Sequence, residues 1–253
     1  MTEENRIPTN LRTLLILEVV GRSDHAMTPT EINEQIGLPK QTVHRLVTTL
    51  ESEGFLAKET DGKRYRPTRR SRLLGAGLLH ASRFHITRHQ VLQDVASQVK
   101  EAVNFVVPEE TGMNYLDRID TDWPFRIQLP VGTNVPFHCT ASGKTFMASL
   151  SKAARKKFVR GLRLTKLTDK THVTAETLLD DLAVCAKRGY ALDGEEFMDG
   201  MVAIAAPVTD TSGRFVAALA YHGPSQRLSL EQAEKQIGVL FEAAETLKRS
   251  LFS

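Results

Sequence analysis

Cysteine is scarce in this 253-residue chain, with only Cys139 and Cys185 present. Two thiols make neither a disulfide framework nor a cysteine-rich zinc site. No apolar run approaches the roughly 18–20 residues a membrane span needs, so no membrane partner is expected. Met1-Thr2-Glu3-Glu4-Asn5-Arg6 is acidic and polar and lacks the apolar core of a secretory signal. Net charge is small, at +3 from 33 cations and 30 anions. Hydrophobic residues at 41% and charged residues at 25% exclude a disordered chain, a collagen-like chain and a coiled-coil rod. These absences leave an ordinary cytoplasmic globular protein, and the length suggests about two domains.

What is present is unevenly spread. Between Lys58 and Arg72 stand seven cations against Glu59 and Asp61, so this stretch carries +5 and the rest of the chain about −2. A solvated face is one reading of such a block. Its neighbours give another. Asn10 can cap a first helix carrying Leu11, Leu14, Leu15 and Val19. Thr28-Pro29-Thr30-Glu31 forms a capping box with proline at the first helical position, and Gly37 ends that short helix. A third helix, from about Pro39 to Glu53, places Val43, Leu46, Val47 and Leu50 in one stripe and is closed by Gly54. Its other face offers Lys40, Gln41, Thr42, His44, Arg45 and Thr48.

A short helix, a tight turn and a longer helix rich in donors is the helix-turn-helix pattern, against the blander reading of a generic three-helix domain. Arg pairs with guanine, Gln with adenine, and a Thr methyl meets the thymine methyl. Residues 55–59 and 63–66 then read as two strands joined by Thr60-Asp61-Gly62. That makes a basic wing, with Lys63, Arg64 and Arg66 placed for phosphates, and Thr30 joins the DNA-facing set from the second helix.

Residues 28–66, above all Gly37-Leu38-Pro39-Lys40-Gln41-Thr42-Val43-His44-Arg45-Leu46, resemble the DNA-binding half of the IclR family of bacterial transcriptional regulators. The resemblance runs on through Pro136-Phe137-His138-Cys139-Thr140-Ala141-Ser142-Gly143-Lys144-Thr145 and through Gly189 to Val208. It implies an α+β chain: a winged helix-turn-helix over 1–70, a linker helix over 71–84, and a GAF-like effector-binding domain over 85–253. The GAF-like part would be an antiparallel sheet flanked by helices, one sheet face helix-covered and the other partly capped by loops. The linker, with Leu73, Leu74, Leu78, Leu79 and Phe84 among Gly75, Ala76, Gly77 and Ala81, is read either as packed on its own domain or as a dimerisation helix. The implied effector-site residues are Ala141, Ser142, Asp193, Ala203, Ala220 and His222. Ala203 stands where many members have Cys, and Ala220 and His222 where some have small hydroxyl side chains. The implied partners are a palindromic double-stranded DNA operator, a small organic or aromatic acid, and a second copy as a homodimer or dimer of dimers.

In the second half, strands are expected at 103–107, 113–116, 125–129, 201–208 and 214–221, with helices from about 85 and at 142–160, 175–188 and 229–250. Gly143-Lys144-Thr145 is no phosphate loop, because His138 stands where the motif's first glycine belongs. Glu195-Glu196 is read as structural rather than as an acid/base pair. Cys139, Asp193 and His222 are ligand types without ligand spacing, so no metal and no cofactor is expected. His222 is weighed evenly between a ligand contact and a hydrogen-bonded core histidine. A repressor is the principal reading; a hydrolase or transferase with an accessory winged domain, or a winged protein–protein adaptor, are the alternatives.

Overall fold

The computed structural model describes residues 7–81 and 84–252. Contacts divide the chain into two compact units, Met1–Ser82 and Arg83–Ser253.

In the first unit, α1 (Arg12–Arg22), α2 (Pro29–Ile36) and α3 (Lys40–Ser52) enclose a core of Ile16, Val20, Ile32, Val43, Val47 and Leu50. The capping box at α2 is complete. Thr28 Oγ1 accepts from the Glu31 amide at 3.2 Å, and Glu31 Oε2 accepts from the Thr28 amide at 2.7 Å. These bonds hold the half-buried Glu31 carboxyl below its usual range. Gly37 ends α2 at φ +73°, a left-handed position that favours glycine. Asn10 does not cap α1; Leu11 occupies the cap position without a side-chain bond, and Leu11 accepts from the Leu15 amide. The wing is an antiparallel pair, β1 (Leu56–Lys58) and β2 (Tyr65–Pro67), with Lys58 opposite Tyr65. Asp61 Oδ1 organises its turn by accepting from the amides of Lys63 and Arg64. Beyond the wing comes α4 (Arg69–Ala81), tied back where Thr68 Oγ1 and Ser71 Oγ donate to the Phe55 carbonyl. Leu73, Leu74 and Leu78 of α4 are exposed within the chain. Ser82, Arg83 and the side chains of Leu79, Ala81 and Phe84 lie outside the described residues.

The second unit opens with α5 (Phe84–Val99), β3 (Ala102–Pro108), β4 (Met113–Ile119) and the two-residue β5 (Asn134–Val135). Then follow α6 (Ala141–Ser149), α7 (Lys152–Gly161), α8 (Ala175–Arg188), β6 (Ala191–Gly194), β7 (Met201–Thr209), β8 (Phe215–Pro224), α9 (Leu230–Lys235) and α10 (Ile237–Phe252). The sheet order is β5-β4-β3-β8-β7-β6, antiparallel throughout. Strand alternation sorts side chains by size. Ile204, Val208, Leu219 and Tyr221 face α5 and α10, while Ala203, Ala205, Ala218 and Ala220 face α6.

Both sheet faces therefore carry helices, where one loop-capped face was expected. Residues 125–129 form no strand. Pro124 and Pro130 bracket them, and the Ile127 carbonyl accepts side-chain donors from Arg118 and His222 instead of a strand partner. The helix expected over 142–160 breaks at Leu150, because Ser151 starts a new helix by accepting from the Ala154 amide. The helix expected over 229–250 breaks at Gln236, where the Tyr221 hydroxyl donates to the Ala233 carbonyl that a continuous helix would use.

Gly143 sits where α6 presses on the chain before it. A Cβ there would lie 2.3 Å from the Phe137 carbonyl oxygen and 2.5 Å from its Cα. At Gly161, by contrast, nothing lies within 4 Å. Gly143→Ala should lower the stability of the second unit by about 1–3 kcal/mol or more through overpacking, while Gly161→Ala should be neutral or slightly stabilising. Differential scanning calorimetry of both variants checks this, and equal midpoints would contradict the close approach.

Candidate functional site

Two groups of side chains stand out, one in each unit. On α3 the stripe Val43, Leu46, Val47 and Leu50 is buried, which turns Lys40, Gln41, His44, Arg45 and Thr48 outward, with Thr42 half-buried. Thr30 at the start of α2 is exposed and shares a small groove with Lys40 and His44. Lys63, Arg64 and Arg66 are exposed on the wing. Arg64 pairs with Asp61 at 3.0 Å and Arg66 with Glu59 at 3.1 Å. Exposed pairs of this kind are worth at most about 1 kcal/mol, so both guanidiniums remain exchangeable. Among the described residues no carboxylate pairs with Lys40, Arg45 or Lys63. A ladder of amide, imidazole and guanidinium donors beside a basic wing can read base edges and clamp phosphates.

The second group lies under α6. Register places Asp193, Ala203 and His222 on one cross-strand row and Ala205, Ala220, Asn104 and Arg118 on the next, all on the alanine face. Ala203 and Ala220 keep 7% of their surface accessible although they sit on central strands, whereas their neighbours Ala205 and Ala218 keep none. Accessibility at such a depth requires a small void above those two alanines. Ala141 and Ser142 begin α6, where Thr140 caps the helix by accepting from the Gly143 amide at 3.1 Å. The amides of Ala141 and Ser142 have no acceptor among the described residues, as expected for a first turn.

Asp193 is the chemically unusual member. It is fully buried, its Oδ1 accepts from the amides of Glu196 and Phe197, and its Oδ2 has no partner. Burial, with the nearby Glu196 charge, pushes its carboxyl up to about 7 against the pull of Lys144. An orphaned buried oxygen of this kind is costly unless something fills the void and donates to it.

His222 is engaged through both ring nitrogens. Nδ1 lies 3.1 Å from Asn104 Nδ2, and Nε2 lies 3.4 Å from the Ile127 carbonyl. Arg118 Nη1 donates to Asn104 Oδ1 at 3.0 Å, so the Asn104 amide is left to donate to Nδ1 and the Nε2 proton faces Ile127. Burial and the Arg118 charge hold this imidazole down to about 4, so it is neutral. This is the geometry of the hydrogen-bonded core histidine. Arg118 and Asn104 were not among the candidates. Strict alternation from Tyr115 turns Arg118 to the opposite face, but a bulge between Phe105 and Val106 opposes two β4 residues to one and brings it back. No sequence signal marks that bulge.

Lys144 is a buried residue of α6, and its ammonium contacts Asp181 Oδ2 at 2.8 Å and Glu196 Oε1. Burial works against its charge, but the two carboxylates win and raise its affinity for the proton. Glu195 pairs instead with Lys170 and accepts from the Gly200 amide, so the two glutamates are structural. Among the described residues, the His, Asp and Glu donors close enough to share a cation are His172, Asp181 and Glu196, not Cys139, Asp193 and His222. The Lys144 ammonium already contacts both carboxylates of that trio and offsets part of their charge. His138 Nε2 faces the Thr165 carbonyl at 2.9 Å, and burial pushes the Cys139 thiol up to about 12, which makes it unreactive.

Comparison with known proteins agrees with this division. The model of the IclR helix-turn-helix domain matches residues 11–60, and that of the bacterial transcriptional regulator IclR C-terminal domain matches residues 78–249. A probable transcriptional regulator, SauR of Cupriavidus necator, is 34% identical over 222 residues, covering 88% of this chain and 88% of that protein. The transcriptional repressor IclR of Escherichia coli is 28% identical over 235 residues, covering 92% of this chain and 86% of that one. The crystal structure of Thermotoga maritima IclR superposes with a TM-score of 0.64 at 25% identity, covering 97% of this chain and 99% of that chain.

Asp193 and His222 should leave opposite marks on the pH dependence of stability. Asp193, raised from 3.8 to about 7 in the folded state, gives a contribution that falls as pH rises from about 4 to 7. His222, lowered from 6.5 to about 4, gives one that rises from about pH 4 to 6.5. Asp193→Asn should therefore climb more steeply than the parent between pH 4.5 and 6.5, by up to about 1.4 kcal/mol per pH unit, and His222→Gln should tilt the other way. Urea midpoints across that range measure both slopes; profiles parallel to the parent would refute the assigned proton affinities.

Proposed function

The chain belongs to the IclR family of bacterial transcriptional regulators, and from that premise we propose that it represses transcription as a dimer on a palindromic operator, released or strengthened by a small organic acid. Members of the family regulate transcription by binding DNA and small-molecule effectors; they are not enzymes. That sets aside the hydrolase or transferase with an accessory winged domain. Among the described residues no helix is long and apolar enough to cross a membrane. A DNA-binding regulator acts where the chromosome is, so the cytoplasm is its proposed compartment.

The observation that carries the DNA reading is the outward face of α3. Gln41, His44, Arg45 and Thr48 stand beside Lys40 with, among the described residues, no carboxylate paired to Lys40 or Arg45, and the wing adds Lys63, Arg64 and Arg66. We assign base reading to the first group and phosphate contact to the second, with Thr30 and Thr42 at the margin. The exposed leucines of α4, beside Gly75 and Gly77 with open space at their Cβ positions, support a helix that packs against its copy in a second subunit. Two-fold symmetry then calls for a palindromic site. Pairing of dimers into a tetramer is part of the same reading.

For the effector, the void over Ala203 and Ala220, the free amides of Ala141 and Ser142 and the unpartnered Asp193 Oδ2 support a small guest with two ends. A carboxylate suits the start of α6, and a hydroxyl suits Asp193. His222, already bonded on both sides, shapes the wall through Asn104 and Ile127. The guest controls DNA binding only through different affinities for the conformations that differ in operator affinity.

Arg45→Ala should cost about 1–3 kcal/mol of discrimination against altered half-sites while sparing most non-specific binding. Selection of bound sequences from a randomised duplex pool, followed by competition titrations, tests this. Unchanged sequence preference would refute the assignment of α3. Leu73→Glu with Leu78→Glu should shift the protein from dimer to monomer in sedimentation velocity.

A further inference from the structure

Basic charge is concentrated at a second place that composition hides. Between Lys152 and Lys170 stand eight cations and one anion, Asp169, all in the second unit. Three of the cations are already used. Arg155 donates to the carbonyls of Met147 and Leu150 and so secures the end of α6. Lys166 pairs with Asp169 at 2.7 Å and Lys170 with Glu195 at 2.6 Å. The remaining five, Lys152, Lys156, Lys157, Arg160 and Arg163, are exposed and have no carboxylate partner among the described residues.

Their arrangement is regular. Val159 anchors α7 to the core, and Phe158 packs edge-on against Phe137 and Phe146. The outer face is thereby fixed, with Lys152, Lys156 and Arg160 in line at intervals of about 6 Å. This helix breaks its own local rules. Lys152 opens it against the positive end of the helix dipole, no acid stands in the first turn, and like charges recur at four-residue spacing. Local conflicts without local compensation mark surfaces whose compensation comes from a partner. Lysine is depleted in protein–protein contacts, and α7 exposes no aromatic side chain that could anchor one. A row of ammonium and guanidinium groups with small alanines between them fits a phosphodiester backbone instead.

We infer that the outer face of α7, with Arg163 just beyond it, is a second DNA-contacting surface that engages backbone phosphates without reading sequence. The inference rests on the DNA-binding reading of the first unit. It implies that part of the salt dependence of DNA binding originates outside the winged domain.

The test uses the full chain and a long mixed-sequence duplex, with affinity followed by fluorescence anisotropy over a range of potassium chloride concentrations. The triple variant Lys152→Ala, Lys156→Ala, Arg160→Ala favours helix at exposed positions and should fold as the parent does. Its plot of log affinity against log salt should be shallower by about 2–3, given about 0.9 per phosphate contact, and low-salt affinity should drop at least tenfold. An unchanged slope and affinity would overturn the inference. So would a variant that loses retention on immobilised polyglutamate but keeps its DNA slope, which would make the face a site for acidic protein. Lys63→Ala with Arg66→Ala is the companion arm. If the wing variant alone loses slope, only the α7 inference fails; if neither variant loses slope, the DNA reading itself fails.

Discussion

The second unit is organised around one buried cation. Lys144 lies almost wholly out of water, and its ammonium joins Asp181 on α8 to Glu196 in the turn after β6. A buried ion pair is not a large net stabiliser, because both charges lose hydration, but breaking one leaves an uncompensated charge costing about 3–5 kcal/mol. The consequence is positional. With Lys144 fixed, Glu196 is fixed, and its amide together with that of Phe197 is held on Asp193 Oδ1. The same cation moderates the repulsion between the Asp193 and Glu196 carboxylates.

That ion cluster sits where it does because the sheet is lopsided in side-chain size. Ala203, Ala205, Ala218 and Ala220 let α6 approach until Thr145 Oγ1 donates to the Ala205 carbonyl at 3.0 Å. On its other side α6 presses its first turn on the Phe137 backbone, where only glycine fits at position 143. The large side chains on the opposite face, among them Ile204, Val208, Leu219 and Tyr221, pack against α5 and α10. Small residues on this face therefore produce both the close approach of Thr145 to the sheet and the void over Ala203 and Ala220. The wall and the gap have a common cause.

Local chemistry was legible in the sequence wherever a few neighbouring residues decide the outcome. The Thr28–Glu31 capping box, the left-handed Gly37 and the buried stripe of α3 are of this kind. So are the ends of α8, where Thr174 caps one side and Gly189 at φ +84° the other. What was not legible depends on partners far along the chain. The run 125–129 alternates like a strand but gives its Ile127 carbonyl to Arg118 and His222. Tyr221 ends α9 from a strand twelve residues earlier than the carbonyl it binds. Strand alternation alone sends Arg118 to the wrong face, because one inserted residue reverses the phase of β4. Local charge marks the basic wing, whereas the remainder of the chain sums to about −2 and hides α7. A sum over a long segment conceals a helix whose cations are balanced by acids elsewhere.

The ionisation of the pocket constrains which guest the proposed site accepts. An anion placed at the start of α6 meets the free amides of Ala141 and Ser142, a favourable field at the positive end of the helix. It also approaches the Asp193 carboxyl, which burial has already brought to about 7. Added negative charge would raise that value further, so a purely carboxylate guest at the proposed site would bind together with a proton. A guest that also carries a hydroxyl can donate to Asp193 Oδ2 and satisfy the orphaned oxygen without taking up a proton. The neutral His222 supplies no countercharge, because its imidazole is held near 4 by burial and Arg118. At the proposed site, selectivity would thus turn on one unsatisfied oxygen: a small acid with a hydroxyl could pair with Asp193 Oδ2, whereas an acid without one would leave Asp193 unpaired or protonated.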